Sequence, residues 1–486
     1  MKRGRKSGRI GNKKKAERDL RNLIEKDWAE EEFSDADFGD KRLTRRVVQL
    51  AGVCGERPDS SFPDACGDPA ILKAAYRFFD NESVVPEKML QSHVEASYRR
   101  MKSVEWVLAV QDTTLIDYTA HPATENLGPL ASADRQGMLA HSTLAITEER
   151  VPLGVLAMKV WVRDSETYAQ LKDHKQRAIE EKESHKWLES LAAVEAAHQA
   201  CPNTHFVSVG DREADIYDLF LVERSSGVDL LVRAAENRRV EAEERYLWGA
   251  LEATPVVATT EITVPPRNGQ AARTATLAIH WRAITLRPPS QRAKEKLSPV
   301  SVWAVWAIET APPANVPAVE WLLLTTVPVH STQDALQRLD WYCCRWGIEV
   351  WHKVLKSGCR IEARQLETAD RLKRCLALFA VIAWRVLYAV MLSRAAPDLP
   401  CTALLNDPEW QALYCATHNT TILPPDPPSL SLAVRWIAQL GGFLARKGDG
   451  HPGVTVVWKG FQRLSDLTQM YLVFRPQPAF KNVGND

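Results

Sequence analysis

Residues 106–112 read WVLAVQD. The first five form a short apolar run, and Gln111 and Asp112 follow as its polar exit, the pattern of a buried strand. Residues 206–211 read FVSVGD, a second run that again ends on an aspartate, Asp211. Residues 138–149 and 151–163 supply two further strand patterns, and residues 229–233 a fifth. Between them, residues 184–200 (SHKWLESLAAVEAAHQA) carry helical periodicity, and 213–224 also read as helical. Strands interleaved with helices predict an α/β core. Ligands bind at the strand ends of such sheets, so Asp112 and Asp211 are candidates for one site. Two aspartates capping surface loops would read the same way.

On either side the character changes. The first eighty-odd residues read as helical, with Trp28, Phe33 and Phe38 among many charges. Lys41, Arg42, Arg45 and Arg46 space basic groups along one helix, which suits phosphate contacts and equally suits an exposed helix face. Residues 236–330 are rich in Pro, Thr and Val, with runs such as EITVPP, TATLAIHW and VSVWAVWAI, and read as a β-rich insertion. A long helix is expected over 332–357, then an apolar helix over 375–392. Pro397, Pro400 and PPDPP at 424–428 break the remainder into short helical pieces. Arg385 interrupts the apolar stretch, and a charge at mid-span is expensive in lipid. A buried core helix is therefore expected, and no membrane partner.

Composition narrows the function classes. A chain of 486 residues with 45% hydrophobic residues and 16 tryptophans has ample material for two to four packed domains. The net charge of +1 does not decide for or against nucleic acid. Its distribution says more: Lys2, Arg3, Arg5, Lys6, Arg9, Lys13, Lys14 and Lys15 precede any acid, a block that suits a phosphate backbone or a solvated tail. Nine cysteines without a CxxC pair suggest neither a disulfide framework nor a zinc site, and fit a reducing cytoplasm. The basic N-terminus has no apolar run behind it, so no signal peptide is expected.

The expected helix at 332–357 carries the chemistry. At roughly 100° per residue, Tyr342, Arg345, Glu349, Lys353 and Lys356 form one polar stripe, with Trp341, Ile348, Trp351, Val354 and Leu355 opposite. An exposed helix would separate its faces too, but one acid regularly spaced among a tyrosine and three bases suits phosphoryl chemistry. Hard cations take oxygen ligands, and two of them about 3.5–4 Å apart activate a water and stabilise a leaving oxygen. Asp112, Asp211 and Glu349 could hold such a pair, with the arginine and lysines on the phosphates.

The segments VQDTT (110–114), VGDREADIY (209–217) and YCCRWGIEVWHKVLK (342–356) resemble the signatures of bacterial DDE transposases of the insertion sequence 4 family. The third fits that family's Y-x2-R-x3-E-x6-K pattern without a gap. DWAEEEF, FGDKRLTRR, AAYRFF, EKESHKW, EWLLLTT and AQLGGF resemble further family blocks in family order, so the resemblance spans nearly the whole chain. It implies a ribonuclease-H-like mixed sheet with helices, a β-rich insertion at about 236–330, and helical N- and C-terminal domains. The implied boundaries are 1–85 for end binding, 86–391 for catalysis and 392–486 for dimerisation. Asp112, Asp211 and Glu349 would be the catalytic metal ligands, holding two Mg²⁺ ions, with Mn²⁺ able to substitute. Tyr342, Arg345, Lys353 and Lys356 would contact phosphates, Arg233 would contact end DNA, and Trp321 would stack on a flipped base. With Lys41, Arg42 and Arg45 these make up the DNA contacts. The implied partners are double-stranded DNA, as inverted-repeat ends and as target, and a second copy of the chain in the synaptic complex. The implied setting is a bacterial cytoplasm, at the nucleoid. Gly347 and the Cys343–Cys344 pair depart from the family pattern, and neither removes a ligand. An inactive or domesticated transposase that only binds DNA, a nuclease without strand transfer, and a glycosidase with paired carboxylates are the rival readings. Intact carboxylates disfavour the first, full-length resemblance the second, and the basic stripe the third.

Overall fold

The computed structural model describes residues 28–132, 134–164, 179–264 and 271–474. The basic block at 2–15 lies outside the described residues. Two compact units divide the chain: 28–92 with 354–364 and 374–474, and 93–353 with 365–373.

The second unit is built on one ten-stranded mixed sheet. Its strands are β1 (Trp106–Asp117), β2 (Gly128–Pro129), β3 (Gln136–Thr147), β4 (Pro152–Trp161), β5 (His205–Gly210), β6 (Val228–Arg233), β7 (Ala258–Val264), β8 (Arg273–Leu286), β9 (Val300–Glu309) and β10 (Glu320–Thr325). The order is β2-β3-β1-β5-β6-β10-β9-β8-β7, with β4 also paired to β3. β1, β5 and β6 run parallel, and the remaining pairs are antiparallel. This antiparallel meander followed by parallel strands is the ribonuclease-H-like α/β arrangement. The parallel strands have apolar centres because both their faces are covered there; Val107, Leu108, Val110, Val207 and Leu230 are buried. Trp187, Phe206, Leu230 and Leu324 share one core.

The segment at 236–330 is β-rich as expected, with its place in the sheet added, and the helical reading of 213–224 is cut short. The segment at 236–330 continues the central sheet, since β10 pairs with β6 at Leu323↔Arg233 and β9, β8 and β7 follow outward. Residues 213–224 hold only a 3-10 turn at Arg212–Ala214 and the short helix Tyr217–Leu221.

The first unit is helical. It includes α1 (Trp28–Phe33), α2 (Lys41–Glu56), α3 (Phe62–Cys66) and α4 (Pro69–Asp80), then much of a 27-residue helix, Ala369–Ala395, and the helices Asp407–His418, Leu430–Leu440 and Val454–Phe474. Most of the apolar window of Ala369–Ala395 is buried within the protein. Arg385 fits there because its guanidinium lies 4.7 Å from the Trp28 ring and 4.9 Å from that of Phe461, with Glu409 at 3.8 Å. Arg364 donates to the carbonyls of Ser60, Pro58 and Cys359 and stacks over Phe379. The helix Asp407–His418 begins with a capping box in which Asn406 and Glu409 bond each other's backbone N–H. Asn406→Ala is expected to destabilise this unit by about 1 kcal/mol, read from urea denaturation; an unchanged midpoint would show that the cap contributes nothing.

Candidate active site

The parallel register of β1 and β5 decides the placement of the two aspartates. Val110 pairs with Val209, and Asp112 and Asp211 each lie two residues further on. Side chains alternate with a period of two, so both aspartates leave the same face, just past the last parallel pair; Asp112 does not end its strand as the apolar run suggested, because β1 stays paired to β3 as far as Asp117. Asp112 remains in β1, opposite Ser142 of β3. Asp211 leaves β5 and caps the turn Arg212–Ala214, accepting from the Glu213 N–H at 2.9 Å. Gly210 makes that turn possible: a Cβ there would meet Ala214 Cβ at 2.3 Å.

Glu349 arrives from a helix. The stretch expected as one helix is α5 (Thr332–Cys344), a turn at Arg345, α6 (Trp346–Lys353) and a π-turn at Val354–Gly358. The apolar side packs down as its periodicity predicts, with Trp341, Ile348 and Trp351 buried. Gly347 lets α6 approach β3, because a Cβ would lie 2.6 Å from Ile146 Cδ1. Arg345 Nη2 donates to Glu349 Oε1 at 2.8 Å, and Arg345 Nη1 lies 3.8 Å from Asp112 Oδ1. One guanidinium thus bridges two of the three carboxylates. Burial pushes the Asp112 carboxyl up to about 6, against the pull of Arg345, and the Asp211 and Glu349 carboxylates push the same way. This is the electrostatic mark of a place with more negative charge than its solvation supports.

Among the described residues, no group of three or more His, Cys, Asp or Glu side chains stands ready to hold a metal ion; the Arg345 guanidinium lies between Asp112 and Glu349. The donor chemistry still fits a hard divalent cation. All three groups are carboxylates, and a cation would offset the burial, and the neighbouring negative charge, that disfavour the ionised form of Asp112.

The other candidate residues fall into distinct places. Tyr342 is buried, its ring 6.3 Å from that of Trp321 and 6.0 Å from the Arg345 guanidinium. Arg233, at the end of β6, donates to the Glu320 carbonyl at 2.8 Å. Lys353 is exposed at the end of α6. Lys356 belongs to the other unit, where it pairs with Glu362 at 3.4 Å; the π-turn in which it sits does not keep the angular step of the stripe. Lys41, Arg42 and Arg45 are exposed along the first turns of α2, which Asp40 caps.

Sequence reading passed over three neighbours. His352 Nδ1 lies 3.7 Å from Asp112 Oδ2; its place three residues after Glu349 on one helix was the available signal. Trp346, which follows Arg345 in the chain, is 63% exposed. His141 meets the Thr113 hydroxyl at 2.9 Å, and burial, with Lys186 and His352, drives its pKa down to about 3, so the ring is neutral. The turn after Asp211 is pinned twice more. Lys186 Nζ reaches Glu213 at 3.0 Å. Asp215 accepts from Ala235 N, Glu236 N and Arg238 Nε at 2.7, 3.0 and 2.8 Å, tying the exits of β5 and β6 together.

Residues 25–84 match the family model for transposase DNA-binding. Residues 381–471 match the family model for the transposase Tn5 dimerisation domain. Together with the ribonuclease-H-like sheet between them, these matches support a transposase of the Tn5 type, a DNA-processing protein. The same two domains support DNA and a second copy of the chain as its partners.

Proposed function

We propose that the chain is a cut-and-paste DNA transposase of the insertion sequence 4 family, similar to the transposase of the composite kanamycin-resistance transposon. The observation that supports this most is the convergence of Asp112, Asp211 and Glu349 beside the end of β5, in a chain whose flanking residues match transposase DNA-binding and dimerisation models. Asp112, Asp211 and Glu349 would hold two Mg²⁺ ions, with Mn²⁺ as a substitute. Such ions would activate a water for attack on the phosphate and stabilise the leaving oxygen.

The chain's own residues bind and orient the DNA. Arg345 places a fixed positive charge between Asp112 and Glu349, where charge develops on the scissile phosphate, and such preorganised charge is the main lever in phosphoryl transfer. The Tyr342 hydroxyl binds the neighbouring phosphate. Lys353 and Lys356 follow the backbone, and Lys41, Arg42 and Arg45 present exposed cations to the transposon end. Arg233 contacts the end DNA with the part of its guanidinium not engaged by Glu320. Trp321 stacks on a base turned out of the duplex. The reaction order is hydrolysis at the transposon end to free a 3′-hydroxyl, attack of that hydroxyl on the opposite strand to form a hairpin, hydrolysis of the hairpin, and attack of the freed 3′-hydroxyl on target DNA. The working form is a homodimer holding two ends in a bacterial cytoplasm.

The test is a cleavage assay on DNA carrying the flanks of the protein's own gene, with Mg²⁺ and with EDTA. Metal-dependent cuts at an inverted-repeat boundary are expected, and binding without cutting under Mg²⁺ and Mn²⁺ would overturn the enzymatic reading. Lys353→Ala is expected to lower the slope of log affinity against log salt by about 0.9, the share of one phosphate contact. An unchanged slope in a filter-binding titration would remove Lys353 from the DNA interface.

A further inference from the structure

Glu320 opens β10 and is followed at once by Trp321. The register puts Leu322 opposite Trp306 and Trp321 opposite Ala307. By the alternation of strand side chains, Glu320 and Trp306 therefore share one face and Trp321 takes the other, toward Tyr342. On its own face Glu320 Oε1 accepts two indole N–H bonds, from Trp248 at 2.7 Å and from Trp306 at 2.8 Å. Trp248 comes from the short helix Leu247–Glu252 and Trp306 from β9. On the backbone, the Glu320 carbonyl accepts from Arg233 of β6 at 2.8 Å. The residue that precedes Trp321 is thus held from three elements. Two tryptophans on one half-buried carboxylate oxygen are more than a strand needs for its ladder, and the indole N–H of the buried Trp306 must find a partner.

We infer that Glu320 is a positioning residue for Trp321: its carboxylate, held by the indoles of Trp248 and Trp306, fixes the start of β10 and so the ring that faces Tyr342. The inference rests on the proposed base-stacking role of Trp321 and deepens it, because a stacking platform contributes only when its plane is set before the base arrives. Arg233 acquires a second duty, holding the same residue from the backbone side.

The experiment uses the full-length protein and duplex DNA carrying the flanks of its gene, with 2-aminopurine beside the cleavage position. The readouts are the ratio of hairpin to nicked product and the fluorescence rise as the base leaves the stack. Glu320→Ala is expected to lower both by about tenfold, part of what one base–aromatic stack is worth. Glu320→Gln, which keeps an acceptor for the indoles, should restore most of the loss. In a Trp321→Ala background, Glu320→Ala should add nothing further. A normal product ratio in Glu320→Ala beside a defective Trp321→Ala would overturn the inference while leaving the stacking role intact. An equal fall in nicking and hairpin formation would also overturn it, by reducing Glu320 to a general structural role. Should Trp321→Ala itself leave the ratio unchanged, the stacking role falls and this inference with it.

Discussion

Glu349→Ala is expected to abolish metal-dependent cleavage, by on the order of 10³-fold or more, while DNA-end binding stays within about threefold of wild type. The reason lies in how charge is distributed at the site. Asp112 and Glu349 share the Arg345 guanidinium, and the Asp112 carboxyl already carries a pKa pushed up to about 6 by burial, with Asp211 and Glu349 adding to the push. Removing Glu349 takes away one of the three proposed oxygen ligands and leaves Arg345 against Asp112. Binding is spared because residues 25–84, the part matched by the DNA-binding model, lie elsewhere in the chain. Residues that act as one unit are non-additive, so Asp112→Asn combined with Glu349→Ala should be no slower than either alone. Glu349→Gln, which keeps the shape and loses the charge, should be as inactive as the alanine variant. Gel-shift and cleavage assays on the same samples separate the outcomes. Cleavage at the wild-type rate would take Glu349 out of the site, and loss of both activities with an altered circular dichroism spectrum would mark misfolding.

Asp215→Ala is expected to cost about 3–5 kcal/mol of stability, the range for breaking a buried ion pair from one side. The Asp215 side chain is fully buried and that of Arg238 is 9% exposed. Truncation leaves two backbone N–H groups, those of Ala235 and Glu236, without their acceptor, and leaves the Arg238 guanidinium inside the protein with no opposing charge. Each unmet group carries its own desolvation penalty. Asp215→Asn should be milder, since the amide oxygen can still accept from one donor. Denaturant unfolding followed by tryptophan fluorescence measures this directly, and a loss below about 1 kcal/mol would show that solvent or a neighbour takes over the role. Activity should fall as well, because Asp215 ties the loop that begins at Asp211 to the loop that begins after Arg233. The Asp211 cap on the Glu213 N–H and the Lys186–Glu213 contact would then be left to hold the Asp211 turn.

The sequence by itself determined the pieces whose cause is local. The apolar runs before Asp112 and Asp211 are strands because neighbouring residues carry that pattern, though the continuation of β1 through Asp112 to Asp117 came from its pairing with β3, and the apolar side of 332–357 is legible from 3.6-residue spacing. Arg345 and Glu349 come together because four residues is about one helical turn. The capping box at Asn406 and Glu409 is equally local. Tertiary structure decided everything that joins distant segments. The offset that brings Asp112 beside Asp211 is set by pairing residues 107–110 with 206–209, and nothing in either stretch names its partner. The segment at 236–330 carries an ordinary strand pattern, and only the open edge of β6 makes it a continuation of the central sheet. The turn at Arg345 and the π-turn at Val354–Gly358 leave no mark in a helical periodicity. His352 near Asp112, and the two indoles on Glu320, depend on side chains meeting across elements. The physical reason is common to all of these: local periodicity is paid out in adjacent dihedral angles, whereas register, edges and buried charge partners are settled by which distant surfaces exclude water together.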